Sequence, residues 1–380
     1  MSKNSKKKNT AGIFIMYALF LIIGMFFGRL IIPYLYGYLQ INGGANGKTF
    51  ICTVLLLSLY VGFFLQIIIH EAGHLVFGLL SGYKFGSFRI ANFMWITENG
   101  SIKFKRHSLA GTAGQCIMIP PDFENGKIPF ILYNLGGTMM NIISAFLFLT
   151  LSAIFKNGYI LPAVMLNFTL VGLLCAVTNG VPMRTGTIDN DGYNALTLAR
   201  NSKALRAFWI QMKIAEQSAK GVRPKEMPDE WFAIPADEEM KNGSVAAIGV
   251  FACNRFLDEH KFDEARELSD HLLDIDSSMA GVHRCLLTCD RIFLELIGEN
   301  NSAVLEKLYN KKQKKFMLAM KNSITVLRTE YAYALLAERD VTKADNIKTQ
   351  FEKRAKTYPY PIDIVSEREL MDIAFGRFQS

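Results

Sequence analysis

Two long stretches of this chain are almost free of charge. Residues 13–82 contain only Arg29, Lys48 and Glu71 as charged side chains, and residues 129–183 contain only Lys156. In a lipid environment every backbone polar group must be paired within the chain, so runs of this kind favour helices. A bilayer core about 30 Å thick takes about 20 helical residues to cross. The runs therefore predict four membrane helices, near 13–37, 50–81, 129–155 and 159–181, with turns at Asn42 to Gly47 and at Lys156, Asn157 and Gly158. The first run follows Lys3, Lys6, Lys7 and Lys8 as a secretory signal would. It is too long for one and lacks a small-x-small cleavage site before Arg29, so a retained helix is expected.

Charge divides the chain. Residues 1–183 carry 13 Lys/Arg and 4 Asp/Glu, whereas residues 184–380 carry 29 and 30, so the net charge of +8 belongs to the first half. Those basic residues flank apolar runs and face lipid headgroups, which argues against a nucleic-acid partner. Four lysines precede the first helix and six Lys/Arg lie between residues 82 and 128, against one each in the other two loops. By the positive-inside rule, the amino terminus, the 82–128 loop and the carboxy-terminal half are cytoplasmic. The expected location is a bacterial plasma membrane, as a multi-pass protein.

The chemical signal is on the second run, which reads Ile69-His70-Glu71-Ala72-Gly73-His74-Leu75. Residues i and i+4 share a helical face, so His70 and His74 can bind one metal ion while Glu71 acts as general base on a water. At this composition H-E-x-x-H arises by chance in about 0.5% of such chains. Ionisable groups inside a membrane helix are costly and mark function. Catalytic zinc takes three protein ligands, so a third must come from elsewhere. Just after the fourth run comes Asn179-Gly180-Val181-Pro182-Met183-Arg184-Thr185-Gly186-Thr187-Ile188-Asp189-Asn190-Asp191-Gly192.

These motifs together resemble the site-2 protease family of intramembrane zinc metalloproteases, which pair H-E-x-x-H on one span with N-x-x-P-x-x-x-x-D-G on a later one. A further family motif, G-P-x-x-N, is represented by Gly137-Thr138-Met139-Met140-Asn141. The resemblance spans about residues 50 to 195. Thr138 replaces the family proline, and the interval from Pro182 to Asp191 is four residues longer than the family pattern. The resemblance implies one zinc per chain, held by His70, His74 and Asp191 with Glu71 as catalytic base, and the inserted residues leave Asp189 open as the third ligand. The three motifs fall at one membrane depth. Asn141 and Asn179 lie at that depth, where their amides either bind substrate or bridge helices. The activity implied is cleavage of membrane-spanning or membrane-associated peptides. The alternative is a silent membrane scaffold that works through its carboxy-terminal half.

Two further segments complete the reading. Gly86 to Leu109 alternates apolar and polar residues about Asn99-Gly100 and predicts a small cytoplasmic β-hairpin, whose edge either pairs with an extended substrate or roofs the site. His107 is expected to be solvated. Residues 193–219 predict one helix, and Gly221 to Asp237 a Pro-rich linker crossed by few contacts. Ser244 to Ile275 resembles a tetratricopeptide unit, with Phe256 on its first helix and small Ala265 on its second, and residues 278–356 have room for two more helix pairs. The fold class expected is thus mainly α: a membrane metalloprotease domain (1–195), a helix and linker (196–243) and a cytoplasmic helical-repeat domain (244–380) for a protein partner.

Overall fold

A computed structural model describes residues 3–98, 100–107, 112–184 and 189–380, with residues 3–11 described by their helical backbone alone. The expected turn residue Asn99, the hairpin end at Leu109 and residues 185–188 of the Asp-Gly segment lie outside the described residues.

Four helices are long and apolar enough to cross a membrane: α1 (Lys3–Ile41), α2 (Ala45–Leu80), α3 (Ile131–Ile154) and α4 (Ile160–Gly180). They match the four expected runs, and α1 and α2 begin earlier than hydropathy suggested. At 1.5 Å per residue α2 is about 54 Å long, well beyond a hydrocarbon core of about 30 Å. Helices α2, α3 and α4 pack on one another, and α1 leans on α4. Lipid gives apolar helices little reason to associate, so contacts between them depend on close approach and polar pairing. Both are present. Gly73 and Gly136 bring α2 and α3 into backbone contact, and a Cβ on Gly73 would lie 2.3 Å from Gly136 O. Asn167 Nδ2 on α4 donates to Ser58 Oγ on α2 at 2.8 Å.

Helix α2 ends at Ser81-Gly82. Gly82 takes φ +84, a left-handed turn that favours glycine, and Tyr83 N donates back to Gly78 O. The chain then enters four antiparallel strands, β1 (Lys84–Ile90), β2 (Phe93–Glu98), β3 (Ser101–Arg106) and β4 (Gly114–Ile119), in the order β3-β2-β1-β4. This corrects the single hairpin. Phe88 and Ile90 sit on β1 while Phe93 and Trp95 sit on β2, because Ile90 pairs with Phe93 across a two-residue turn at Ala91-Asn92. Ala91 adopts φ 51 there, a conformation usually signalled by glycine, so the turn was not legible. Met94 and Ile96 are buried on one sheet face, and Cys116 and Met118 on the other, whose outlying Phe93, Trp95, Ile102 and Phe104 stay exposed.

The remainder is helical. Residues 193–219 form two helices instead of one, α5 (Asp191–Arg200) and α6 (Ser202–Ala219). Asn201 breaks them apart: its backbone is extended, and its side chain accepts from Lys203 N and Ala204 N as the N-cap of α6. Next come α7 (Gly243–Asp258) and α8 (Phe262–Asp274), then α9 (Gly281–Ile297), α10 (Ser302–Leu308), α11 (Lys311–Ala319), α12 (Ile324–Leu336), α13 (Val341–Ala355) and α14 (Pro361–Gln379). Helices α7 and α8 form the expected hairpin, with Ala265 fully buried at its centre. The later helices range from 7 to 19 residues.

Gly221 to Asp237 is a packed segment, which corrects the expected linker. Met227, Trp231 and Phe232 are buried in one apolar core with Ile210 and Ile214 of α6 and Val245 and Ile248 of α7. Ile128, just before α3, belongs to the same core. The helical half is therefore continuous with the membrane half. A Pro-rich stretch reads as a linker because proline breaks helices, yet its interspersed aromatic residues carry enough apolar surface to dock it.

Candidate metal centre

His70, Glu71 and His74 stand in the carboxy-terminal third of α2, and Asp191 is the first residue of α5. The chain returns Asp191 to them because α5 begins against the end of α4: a Cβ on Gly192 would lie 2.1 Å from Gly180 O, so only glycine lets the two backbones meet. Asn190 secures the turn. It caps α5 by accepting from Tyr193 N at 3.0 Å and donates from Nδ2 to Thr178 O and Val181 O on the α4 side.

Three ligand atoms converge. Asp191 Oδ2 lies 3.1 Å from His70 Nε2 and 3.4 Å from His74 Nε2, and the two Nε2 atoms are 3.2 Å apart. Among the described residues this is the group of His, Cys, Asp and Glu side chains that could hold a metal ion. Asp189, the open alternative, is instead paired to Arg184 Nε at 2.8 Å. Arg184 in turn donates to Ser278 Oγ and Ser278 O, tying the Asp191 loop to the turn between α8 and α9.

The outer nitrogens of the two imidazoles define their state. His70 Nδ1 lies 2.8 Å from Asn141 Oδ1, and His74 Nδ1 lies 2.7 Å from Tyr133 O. Both partners are acceptors, so both Nδ1 atoms carry a proton, which leaves the Nε2 atoms as the ones that could bind a metal ion. Asp191 Oδ2 is buried without a hydrogen bond. Three electron-rich atoms at such spacings suit a cation, and outer-shell acceptors of this kind orient metal-binding imidazoles. The two imidazoles and the carboxylate could hold a metal ion.

Of its two expected places, Asn141 takes the helix-bridging one. It is fully buried on α3, and its Nδ2 donates to Gln66 O at 3.0 Å and Gln66 Oε1 at 2.7 Å. With both ends of the amide engaged, it bridges α3 to α2 and positions His70. Asn179 remains at the cleft beside His70 and Glu71, with Nδ2 turned back to Cys175 O.

A cleft of about 640 Å3 opens onto the centre between β4 and α6, lined by Glu71, Gly114, Asn179, Phe208 and Met212 among others. Gly114 starts β4 against Glu71, where a Cβ would lie 2.5 Å from the carboxylate. Arg89 holds that strand end in place. It is 1% exposed, and its guanidinium donates to Ala91 O, Thr112 Oγ1 and Gly114 O. Sequence reasoning had grouped Arg89 with headgroup-facing cations, and strand alternation with buried Ser87 was the signal available to separate it. Tyr133 was missed because its contribution to His74 is a backbone carbonyl, which any residue has. His107 is half-buried against Tyr358, with ring centres 5.5 Å apart, and this burial, helped by Arg354 and Arg89, pushes its pKa down to about 4. The expectation of a solvated side chain is corrected accordingly.

Comparison of the chain with protein-family models, with curated proteins and with solved structures finds no match in any of the three.

Proposed function

We propose that this chain is an intramembrane zinc endopeptidase that cuts membrane-spanning or membrane-associated peptides at the cytoplasmic side of the bilayer. The observation that carries the reading is the meeting of His70 Nε2, His74 Nε2 and Asp191 Oδ2 beside Glu71 at the head of an open cleft. A zinc ion held by His70, His74 and Asp191 would supply a Lewis acid for the scissile carbonyl and would lower the pKa of an attacking water towards about 7. Glu71 takes the proton of that water and passes it to the leaving amine nitrogen. Its position suits the task, since among the described residues its carboxylate makes no hydrogen bond and it lines the cleft.

A carbonyl inside an intact helix is closed to attack, so the substrate must unwind locally and find new partners for its backbone. Strand β4 supports that step: it is an edge of the sheet and begins at Glu71. An extended substrate adding to β4 brings its carbonyls past Glu71 while Asn179 faces it across the cleft. The exposed Phe93, Trp95, Ile102 and Phe104 suit the bilayer interface. The carboxy-terminal helices, read as a tetratricopeptide-like array, provide a surface for a cytoplasmic protein partner.

The test is metal analysis and cleavage of a membrane-helix substrate by detergent-purified protein. Wild type should hold one zinc per chain and cut. Glu71→Gln should hold zinc and lose at least about 10²-fold in rate, the usual loss on removing a general base. Full activity in Glu71→Gln would overturn the reading and leave a membrane scaffold.

A further inference from the structure

Beyond the catalytic cleft lies a second cavity of about 300 Å3, and Phe251 on α7 borders both. Both run along α6: Phe208, Gln211, Met212 and Ala215 line the catalytic cleft, whereas Ile214 and Ser218 line the second cavity. Phe208 to Ser218 spans about 15 Å of helix at 1.5 Å per residue. An extended peptide covers that distance in about five residues at about 3.3 Å each.

The second cavity is acidic. Asp258, Asp290, Asp363 and Glu367 line it against Arg223 and Arg328. Both arginines are already committed, Arg223 to Asp258 and Glu369, and Arg328 to Asp290 and Glu367. Asp363 is left over. Its carboxylate joins no hydrogen bond or ion pair among the described residues, and burial near Glu367 and Asp258 pushes its pKa up to about 7. Arg328, 1% exposed, lines the same cavity with its Nη1 lacking an acceptor. His283, edge-on to Phe251, has an unpartnered Nδ1. A carboxylate without a cation and buried donors without acceptors are each costly. A peptide repairs both: a basic side chain meets the carboxylate, and main-chain carbonyls meet the donors.

Membrane segments carry an excess of lysine and arginine in their cytoplasmic flanks. We propose that the acidic cavity is a substrate subsite that takes a lysine or arginine of the cytoplasmic flank about five residues from the scissile bond. The inference rests on the endopeptidase reading and gives it a substrate class, the membrane segment with a basic cytoplasmic flank.

The test reads binding apart from cleavage. Full-length Glu71→Gln in detergent is titrated against fluorescent single-span peptides whose cytoplasmic flank carries Lys, Ala or Glu at successive positions, and affinity is followed by anisotropy. The Lys peptide should bind about tenfold tighter than the Glu peptide, the scale of one charge-assisted hydrogen bond, with the preference confined to a narrow window of positions. Adding Asp363→Asn should reduce that ratio below about twofold, while Glu230→Gln, an acid outside the cavity, should leave it unchanged. Asp363→Lys should reverse the preference towards the Glu peptide, which a folding defect would not do. Equal binding of the peptides, or a Lys preference that survives Asp363→Asn, overturns the subsite. Selective binding with no cleavage by wild type keeps the subsite and removes the endopeptidase reading. Cleavage of all three peptides by wild type at one kcat/KM does the opposite.

Discussion

Replacing Asn141 tests whether the metal centre depends on a residue that cannot touch the metal. Asn141 Oδ1 holds the Nδ1 proton of His70 at 2.8 Å, and its Nδ2 is locked by two bonds to Gln66. In Asn141→Ala the part-buried His70 N–H loses its acceptor, a cost of up to about 1–3 kcal/mol. The imidazole can recover by moving its proton to Nε2, the atom that faces Asp191, and that removes a metal ligand. Loss of an outer-shell partner of this kind lowers metal affinity by about 10–100-fold, which corresponds to about 1.4–2.8 kcal/mol. The assay is zinc competition against a chromophoric chelator with the full-length protein in detergent. Asn141→Asp keeps an acceptor towards His70 and should stay closer to wild type. Ser144→Ala separates helix packing from ligand orientation: Ser144 Oγ donates to the same Gln66 Oε1 at 3.0 Å without reaching His70, so its zinc affinity should be unchanged. Zinc affinity in Asn141→Ala within about twofold of wild type, far below the outer-shell range, would refute this account of how His70 is held.

Asp191→Asn should weaken zinc beyond that outer-shell range of about 100-fold, whereas Asp189→Asn, which touches Arg184 and not the imidazoles, should fall within about tenfold of wild type; the same chelator titration decides, and the reverse order would exchange the two roles. Arg184→Ala removes the link from Asp189 to Ser278 and should lower the melting temperature of the zinc-loaded protein, since hydrogen bonds to a charged group are worth about 1.5–3 kcal/mol. A chain cut after Lys220 should aggregate in detergent, because it strips Met227, Trp231 and Phe232 from the apolar core they share with α6; a monodisperse, zinc-loaded product in size-exclusion chromatography would contradict that packing. Gly73→Val should separate α2 from α3 and lose metal, as its side chain meets Gly136 O already at Cβ, and retention of zinc with an unchanged melting temperature would show that the helices do not meet there.

Much of the architecture was legible in the chain itself, for reasons of period and solvent. Uncharged runs longer than a bilayer is thick admit few folds, so the four helices could be located to within a few residues at most of their ends. The H-E-x-x-H spacing places two imidazoles on one face of any helix, whatever surrounds it. Local exceptions escaped. The turn at Ala91-Asn92 lacks the glycine that would announce it, and Asn201 divides a helix that periodicity joins, because a cap depends on which backbone N–H groups the side chain meets. The linker reading failed on a matter of packing: proline content is local, whereas the burial of Trp231 and Phe232 depends on α6 and α7 arriving beside them. The resemblance favoured Asp191 over Asp189, and the tertiary structure sets Asp191 beside both imidazoles while Asp189 pairs with Arg184. It likewise put Asn141 in the helix-bridging one of its two expected places, behind His70. Sequence separation carries no information about which side of a helix contact a side chain enters, and that choice was made by the backbone approach of Gly73 and Gly136.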